Sequence, residues 1–227
     1  MLTLGFFDVD KAIDNLPLIL SGFPMTIYVS FLSMAVGLIL GLPLALMRSS
    51  RFKLLRWPTR VYISFMRGTP VLVLLFIIYF GLPSVDIEFT AFQAAVIGFG
   101  FNSAAYIAEV NRAAINSVDD GQWEAAYSLG LTYPLAVTGV ILPQAMRIAI
   151  PPLTNIFLDL VKASSLAAVI TVPELFQKTQ IASGRSYDFL TMYILVALLY
   201  WPLCVVIAFV QERLEIYFTR FINKKIY

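Results

Sequence analysis

The chain has 227 residues, 59% of them hydrophobic and only 13% charged, with a net charge of +2 and a mean hydropathy of +0.82. Soluble domains run at about half apolar and a quarter charged, so this composition belongs to a membrane protein, and so small a net charge gives no reason to expect nucleic acid as a partner. A single cysteine, Cys204, excludes an intramolecular disulfide and a cysteine metal cluster, and the absence of histidine removes the commonest general base and metal ligand; enzyme chemistry and a metal site are disfavoured.

At the N-terminus, residues 1–15 set Phe6, Phe7, Val9 and Ile13 among Asp8, Asp10, Lys11 and Asp14, the pattern of a short interfacial segment. No basic stretch precedes the first apolar run and no small-residue cleavage site follows it, so a removable signal peptide is not expected. Residues 16–47 form the first predicted span, longer than the roughly 20 residues a bilayer requires, with Pro17, Pro24 and Pro43 near its ends. Gly37 and Gly41 show G-x-x-x-G spacing, which often arises by chance in apolar helices and receives little weight here. Residues 48–60 then carry Arg48, Arg51, Lys53, Arg56 and Arg60 and no acid.

A second span is expected over residues 57–80, followed by a loop with Asp86 and Glu88, and a third over 89–115. After the polar stretch 122–143, a fourth span runs over 143–172, a weakly charged outer loop with Glu174, Lys178 and Arg185 over 173–186, and a fifth span over 187–210, with Arg220, Lys224 and Lys225 beyond it. Basic residues concentrate in 48–60 and at the C-terminus, which places those segments and the 122–143 loop in the cytoplasm and the N-terminus outside. The expectation is an all-α integral membrane protein in one transmembrane domain, with about five transmembrane helices.

The polar stretch has its own punctuation. Asp119 and Asp120 are placed to cap a helix starting near Gly121, Gly130 to end it in a left-handed conformation, and Thr132 with Pro134 to start a second short helix. A helix of about eight residues is marginal alone and needs a packing partner, here taken to be another protein. Trp123, Ala126 and Tyr127 share a face at i, i+3 and i+4 spacing, and the small Ala125 and Ala126 permit close approach. These residues fit equally well a helix lying on the bilayer surface and one seated in a partner.

The family resemblance rests on particular strings. Glu124-Ala125-Ala126, then Gly130, then Val140 and Leu142-Pro143 resemble the EAA loop of ABC importer membrane subunits, with valine where isoleucine is usual. Arg67-Gly68-Thr69-Pro70, the run from Asn102 to Glu109, Leu142 to Arg147, and Val172-Pro173-Glu174-Leu175 are similar to the polar amino-acid branch. The resemblance implies a permease of the type I ABC importer fold that takes a polar amino acid into the cell across the bacterial inner membrane. It implies that 119–143 is a coupling loop seated in an ATPase subunit dimer, with Trp123, Glu124, Ala125, Ala126, Tyr127 and Gly130 as its coupling residues. It further implies a second permease copy, identical or paralogous, and an extracellular substrate-binding protein or domain. The chain has no phosphate-binding loop, so ATP and Mg would belong to the partner and no cofactor or catalytic residue to this chain.

Polar residues at mid-membrane depth are the candidates for the pathway. Residue counting places Asn102 and Ser103 at the middle of the third span, with Tyr106 and Glu109 one and two turns toward the cytoplasm. Asn155, Asp159 and Lys162 form a second stripe, preceded by Pro151-Pro152, which fits a packed kink or, better, a cavity wall. Asp159 either neutralises Lys162 or faces a substrate ammonium, with Thr69, Asn102, Ser103 and Asn155 bonding the rest of the substrate. Glu109 with Arg112 reads as an inner-surface pair bracing the loop, and Arg67 as a gating or structural residue whose depth depends on whether Pro70 breaks its helix. Relatives carrying cationic amino acids tend to place acids where this chain has Ile156 and Ala163, which favours a zwitterion, cystine or glutamine, over a basic amino acid. A secondary carrier or an intramembrane enzyme is disfavoured, for want of an internal repeat and of paired mid-membrane acids respectively.

Overall fold

A computed structural model describes residues 7–219, and within them every regular element is helical. The expected N-terminal segment is described only from Phe7 onward, and Arg220, Lys224 and Lys225 lie outside the described residues. The chain runs as α1 (Val9–Leu20), α2 (Phe23–Ser49), α3 (Lys53–Gly68), α4 (Val71–Phe76), α5 (Ala91–Asn116), α6 (Asp120–Ser128), α7 (Tyr133–Ala136), α8 (Leu142–Ala163), α9 (Leu175–Ser186) and α10 (Phe189–Thr219). Four stretches are long and apolar enough to cross a membrane, or five if the bent pair of α3 with α4 and its continuation to Val85 counts as one span.

Four boundaries differ from the sequence-based expectation, each for a local reason. The predicted first span is divided at Ser21 and Gly22 between α1 and α2, because Pro24 starts a new helix and Gly22 lies against the backbone of Glu174; a Cβ there would sit 2.5 Å from the Glu174 carbonyl carbon. The second span bends by 103° between Gly68 and Val71. Pro70 cannot donate to the helix and forces the residue before it out of the helical region, and Thr69 accordingly sits at φ −104°, ψ 131°. The helix begun at Tyr133 is not a second short one: it continues through a π turn over Val137–Ile141 into α8, so that 133–170 forms one candidate span. The predicted loop 173–186 is mostly α9, whose N-cap is Glu174 accepting from the backbone N–H groups of Phe176 and Gln177.

The centre of the fold is the pair α2 and α5. Gly37 and Gly41, given little weight in the sequence, are where the two helices close on one another. A Cβ on Gly37 would lie 2.5 Å from Ser103 Oγ, and one on Gly41 2.4 Å from Ile107 Cγ2. Small side chains allow this proximity, and in a lipid setting close packing replaces the hydrophobic effect as the driving force. One buried cluster, with Val29, Leu75, Phe99 and Ile170, lies toward the end where α5 begins. Another, with Ile107, Ile115, Val118, Ile141 and Leu153, lies toward the end bearing α6, and Trp123 packs against it. The α6 end of the molecule is therefore wired by packing to α5 and α8.

Candidate coupling loop and membrane cavity

The loop is built much as its punctuation dictates. The Asp119 side chain accepts from Gly121 N at 2.9 Å and caps α6; such a cap is worth about 1 kcal/mol. Gly130 closes the helix at φ +77°. Thr132 sits at the N-cap of α7, although its side chain makes no capping bond, and Pro134 follows in the first turn. At nine residues α6 does not hold itself, and the support comes from within the chain. Ala126 is buried, Trp123 is half-buried, and the Trp123 ring stacks on Tyr133 at 6.0 Å and lies 6.2 Å from Tyr127. Gln144 Nε2 donates to Gln122 Oε1 at 3.0 Å, tying α6 to the first turn of α8. The face that remains open carries Glu124, Ala125, Tyr127 and Leu129 rather than Trp123 and Ala126.

A carboxylate holds the next layer. Glu109 Oε1 lies 2.8 Å from Arg48 Nε, and Glu109 Oε2 lies 3.1 Å from Arg112 Nη2 and 3.9 Å from Arg67 Nη1. Four charged side chains from α2, α3 and α5 thus converge on one another, and the Arg67 guanidinium also covers the Tyr106 ring at 5.5 Å. The Glu109–Arg112 pair was legible from its i, i+3 spacing. Arg48 was not assigned to it, because its approach depends on how α2 ends beside α5; its position as the last cation before the Ser49–Ser50 turn was the only signal.

Above this layer Asn102, Ser103, Tyr106 and Asp159 line one cavity of ≈280 Å3, together with Ile156 and Ala163. Asn102 Nδ2 donates to the Met66 carbonyl at 2.7 Å, and Tyr62, whose spacing in the sequence carries no sign of this role, donates to the Phe101 carbonyl at 2.7 Å. These bonds hold the broken end of α3 to the middle of α5 and occupy part of Asn102. Ser103 is buried, its hydroxyl donating to the Gly100 carbonyl at 3.0 Å. Thr69 caps the end of α3, half-buried, and is not among the cavity residues. Asn155 also lies apart: its Oδ1 accepts from Gln211 Nε2 of α10 at 2.8 Å.

Asp159 and Lys162 are paired at 2.8 Å, and both are exposed, 73% and 53% at the side chain. The pair is not enclosed by this chain, so a charged group can reach either partner from the open side. Pro151 and Pro152 lie inside a continuous α8, one turn below the cavity, where Thr154 Oγ1 donates to the Pro151 carbonyl at 2.8 Å. Among the described residues, no cluster of acids, cysteine or histidine is arranged to hold a metal ion.

Residues 34–216 match the family of binding-protein-dependent transport system inner membrane components. The chain is 57% identical over 209 residues to a probable amino-acid ABC transporter permease of Bacillus subtilis, covering 92% of each chain, and 44% identical to that organism's L-cystine transport system permease, covering 92% of this chain and 89% of the other. Its fold is similar to a solved amino acid ABC transporter structure, with a TM-score of 0.86 and 36% identity over 94% of this chain and 99% of that one. Family match, relatives and fold agree, and the chain belongs to the binding-protein-dependent transport system inner membrane components, as a multi-pass permease subunit of the amino-acid ABC importer type.

Proposed function

We propose that this permease passes a zwitterionic polar amino acid, cystine or glutamine, into the cell through the cavity lined by Asn102, Ser103, Tyr106 and Asp159. The observation that carries this reading is the charge balance of the wall. Its carboxylate, Asp159, is paired with Lys162, which stands beside the cavity and is not one of its lining residues, and the neighbouring positions Ile156 and Ala163, both facing the cavity, are apolar. A substrate of no net charge, glutamine with one ammonium and one carboxylate or cystine with two of each, can set one ammonium and one carboxylate against that pair without adding net charge, whereas a cationic side chain would find no further acid among the cavity residues. Relatives are named for L-cystine, glutamine and arginine transport, at 44%, 39% and 35% identity, so the choice among these substrates rests on the cavity wall.

Energy would enter through the exposed face of α6, with Glu124, Ala125 and Tyr127 set in a separate ATPase that binds ATP and Mg. The path to the cavity is short: α6 bonds to α8 through Gln122 and Gln144, Trp123 packs on the cluster of Ile107 and Leu153, and Asp159 lies on α8. This orientation puts the 48–60 turn and the 119–143 loop in the cytoplasm and α1 outside, where a substrate-binding protein would deliver the cargo. Uptake by the assembled complex in proteoliposomes tests the proposal. Cystine or glutamine accumulation dependent on ATP is expected, and strong arginine transport with neither of these would overturn it; uptake driven by an ion gradient without ATP would instead mark a secondary carrier.

A further inference from the structure

A second cavity, ≈600 Å3, opens between the α2–α3 turn and the coupling loop, away from the amino-acid pathway. One wall is the turn itself, with Leu46, Leu55 and Phe52 beside Ser49, Ser50 and Arg51; across from it stand Tyr127 and Tyr133. The lining is amphipathic in a particular sense. It has a cation and hydroxyls at one place, an apolar floor, and no acid. Ser50 Oγ already accepts from Phe52 N at 3.2 Å, which leaves its proton for an external acceptor, and Arg51 is held over the Phe52 ring at 5.2 Å rather than by a carboxylate.

The adjoining helix repeats the same chemistry on a larger scale. On α3, Lys53, Arg56 and Arg60 follow i, i+3, i+7 spacing, and Leu54, Trp57, Val61 and Phe65 form an exposed apolar stripe directly beside them. Arg48, Arg67 and Arg112 are all taken up by Glu109, but Arg51, Lys53, Arg56 and Arg60 have no acid within ion-pair distance among the described residues. A run of uncompensated cations bordering an apolar stripe at the end of a membrane helix matches a phospholipid's own layout of anionic headgroup over acyl chains.

We propose that the cavity between the α2–α3 turn and the coupling loop binds one anionic phospholipid of the adjacent leaflet, its phosphate at Arg51 with the Ser49 and Ser50 hydroxyls and an acyl chain over Leu46 and Leu55. The lipid then forms part of the surface against which Tyr127 and Tyr133 rest, and the headgroup composition of the membrane bears on the seat of the coupling loop. This site does not depend on which amino acid the permease carries.

The test is native mass spectrometry of the full-length permease, purified in detergent and exposed to equal amounts of phosphatidylglycerol and phosphatidylcholine. Preferential retention of phosphatidylglycerol by about fivefold is expected, falling to near parity in Arg51→Gln and preserved in Arg51→Lys and in Lys178→Gln, on α9 at the other end of the molecule. Equal retention of the two lipids, or an undiminished preference in Arg51→Gln, overturns the proposal. So does displacement of the lipid by inorganic phosphate alone, which would assign the pocket to a free anion. Loss of bound phosphatidylglycerol when the ATPase is added would assign it to the ATPase and overturn the proposal equally.

Discussion

At the scale of single residues, a few side chains hold together elements far apart in sequence. Asp188 is the clearest of those outside the spans. It caps the start of α10 by accepting from Thr191 N at 3.2 Å, accepts from the Thr191 hydroxyl at 2.9 Å, and meets Lys11 of α1 at 3.3 Å, while Thr191 Oγ1 accepts from Asp8 N at 3.1 Å. The Thr191 N–H holds the Asp188 carboxyl below the usual aspartate range; desolvation opposes it, and the Thr191 hydroxyl and Lys11 add to the lowering. A carboxyl lowered in the folded state contributes stability above its unfolded pKa of about 3.9 and loses it as pH falls through the lower folded value. Thermal unfolding in detergent between neutral and strongly acid pH should therefore show Asp188→Asn less stable than the parent at neutrality and converging with it in acid. A constant gap across that range would contradict this account.

At the scale of elements, the coupling loop shows how backbone geometry and surface chemistry separate. Gly130 needs a left-handed conformation at φ +77°, yet a Cβ there would meet nothing within 4 Å. Gly130→Ala should thus cost about 1–2 kcal/mol from backbone strain alone, read as a lower unfolding temperature, with no steric penalty added. Glu124 is exposed and serves no visible structural bond, so Glu124→Ala should leave membrane insertion and folding intact while lowering ATP-dependent uptake by tenfold or so, the effect of about 1.4 kcal/mol lost at a docking surface. Normal uptake in Glu124→Ala would remove α6 from the ATPase interface.

The sequence showed the caps of this loop because Asp119, Gly130 and Pro134 act through their immediate neighbours. It did not show which face of α6 is free. Trp123 and Ala126 satisfy the same helical spacing whether they meet a partner or their own chain, and what turns them inward is the position of Tyr133 and of α8. Likewise Pro70 announced a break in the second span but not its 103° angle, which depends on Tyr62 and Asn102 bonding α3 to the middle of α5.

At the scale of the whole molecule, the cavity is open on the side where Asp159 and Lys162 stand exposed, and one copy of the chain does not enclose it. A second copy facing this wall would close the pathway. In a Cys204→Ser background, Asp159→Cys should yield an oxidised, covalent dimer of twice the chain mass in membranes if the mate is identical. A paralogous mate would give no such dimer until a cysteine is placed at its facing position as well, and then a cross-link to that polypeptide; no cross-link in either arrangement would take Asp159 off the shared axis.

The sequence by itself determined what acts locally or in sum: membrane residence from composition, about five spans from apolar length, the helix ends at Asp119 and Gly130, and the permease family from the Glu124 to Pro143 spacing. The tertiary structure alone decided what depends on distances between segments remote in the chain. It set Gly37 and Gly41 against Ser103 and Ile107, gathered Arg48, Arg67 and Arg112 on Glu109, turned Asn155 toward Gln211, and left Asp159 with Asn102 and Tyr106 around one space. Spacing along a helix fixes which residues share a face; only the packing of helices against one another fixes what that face meets.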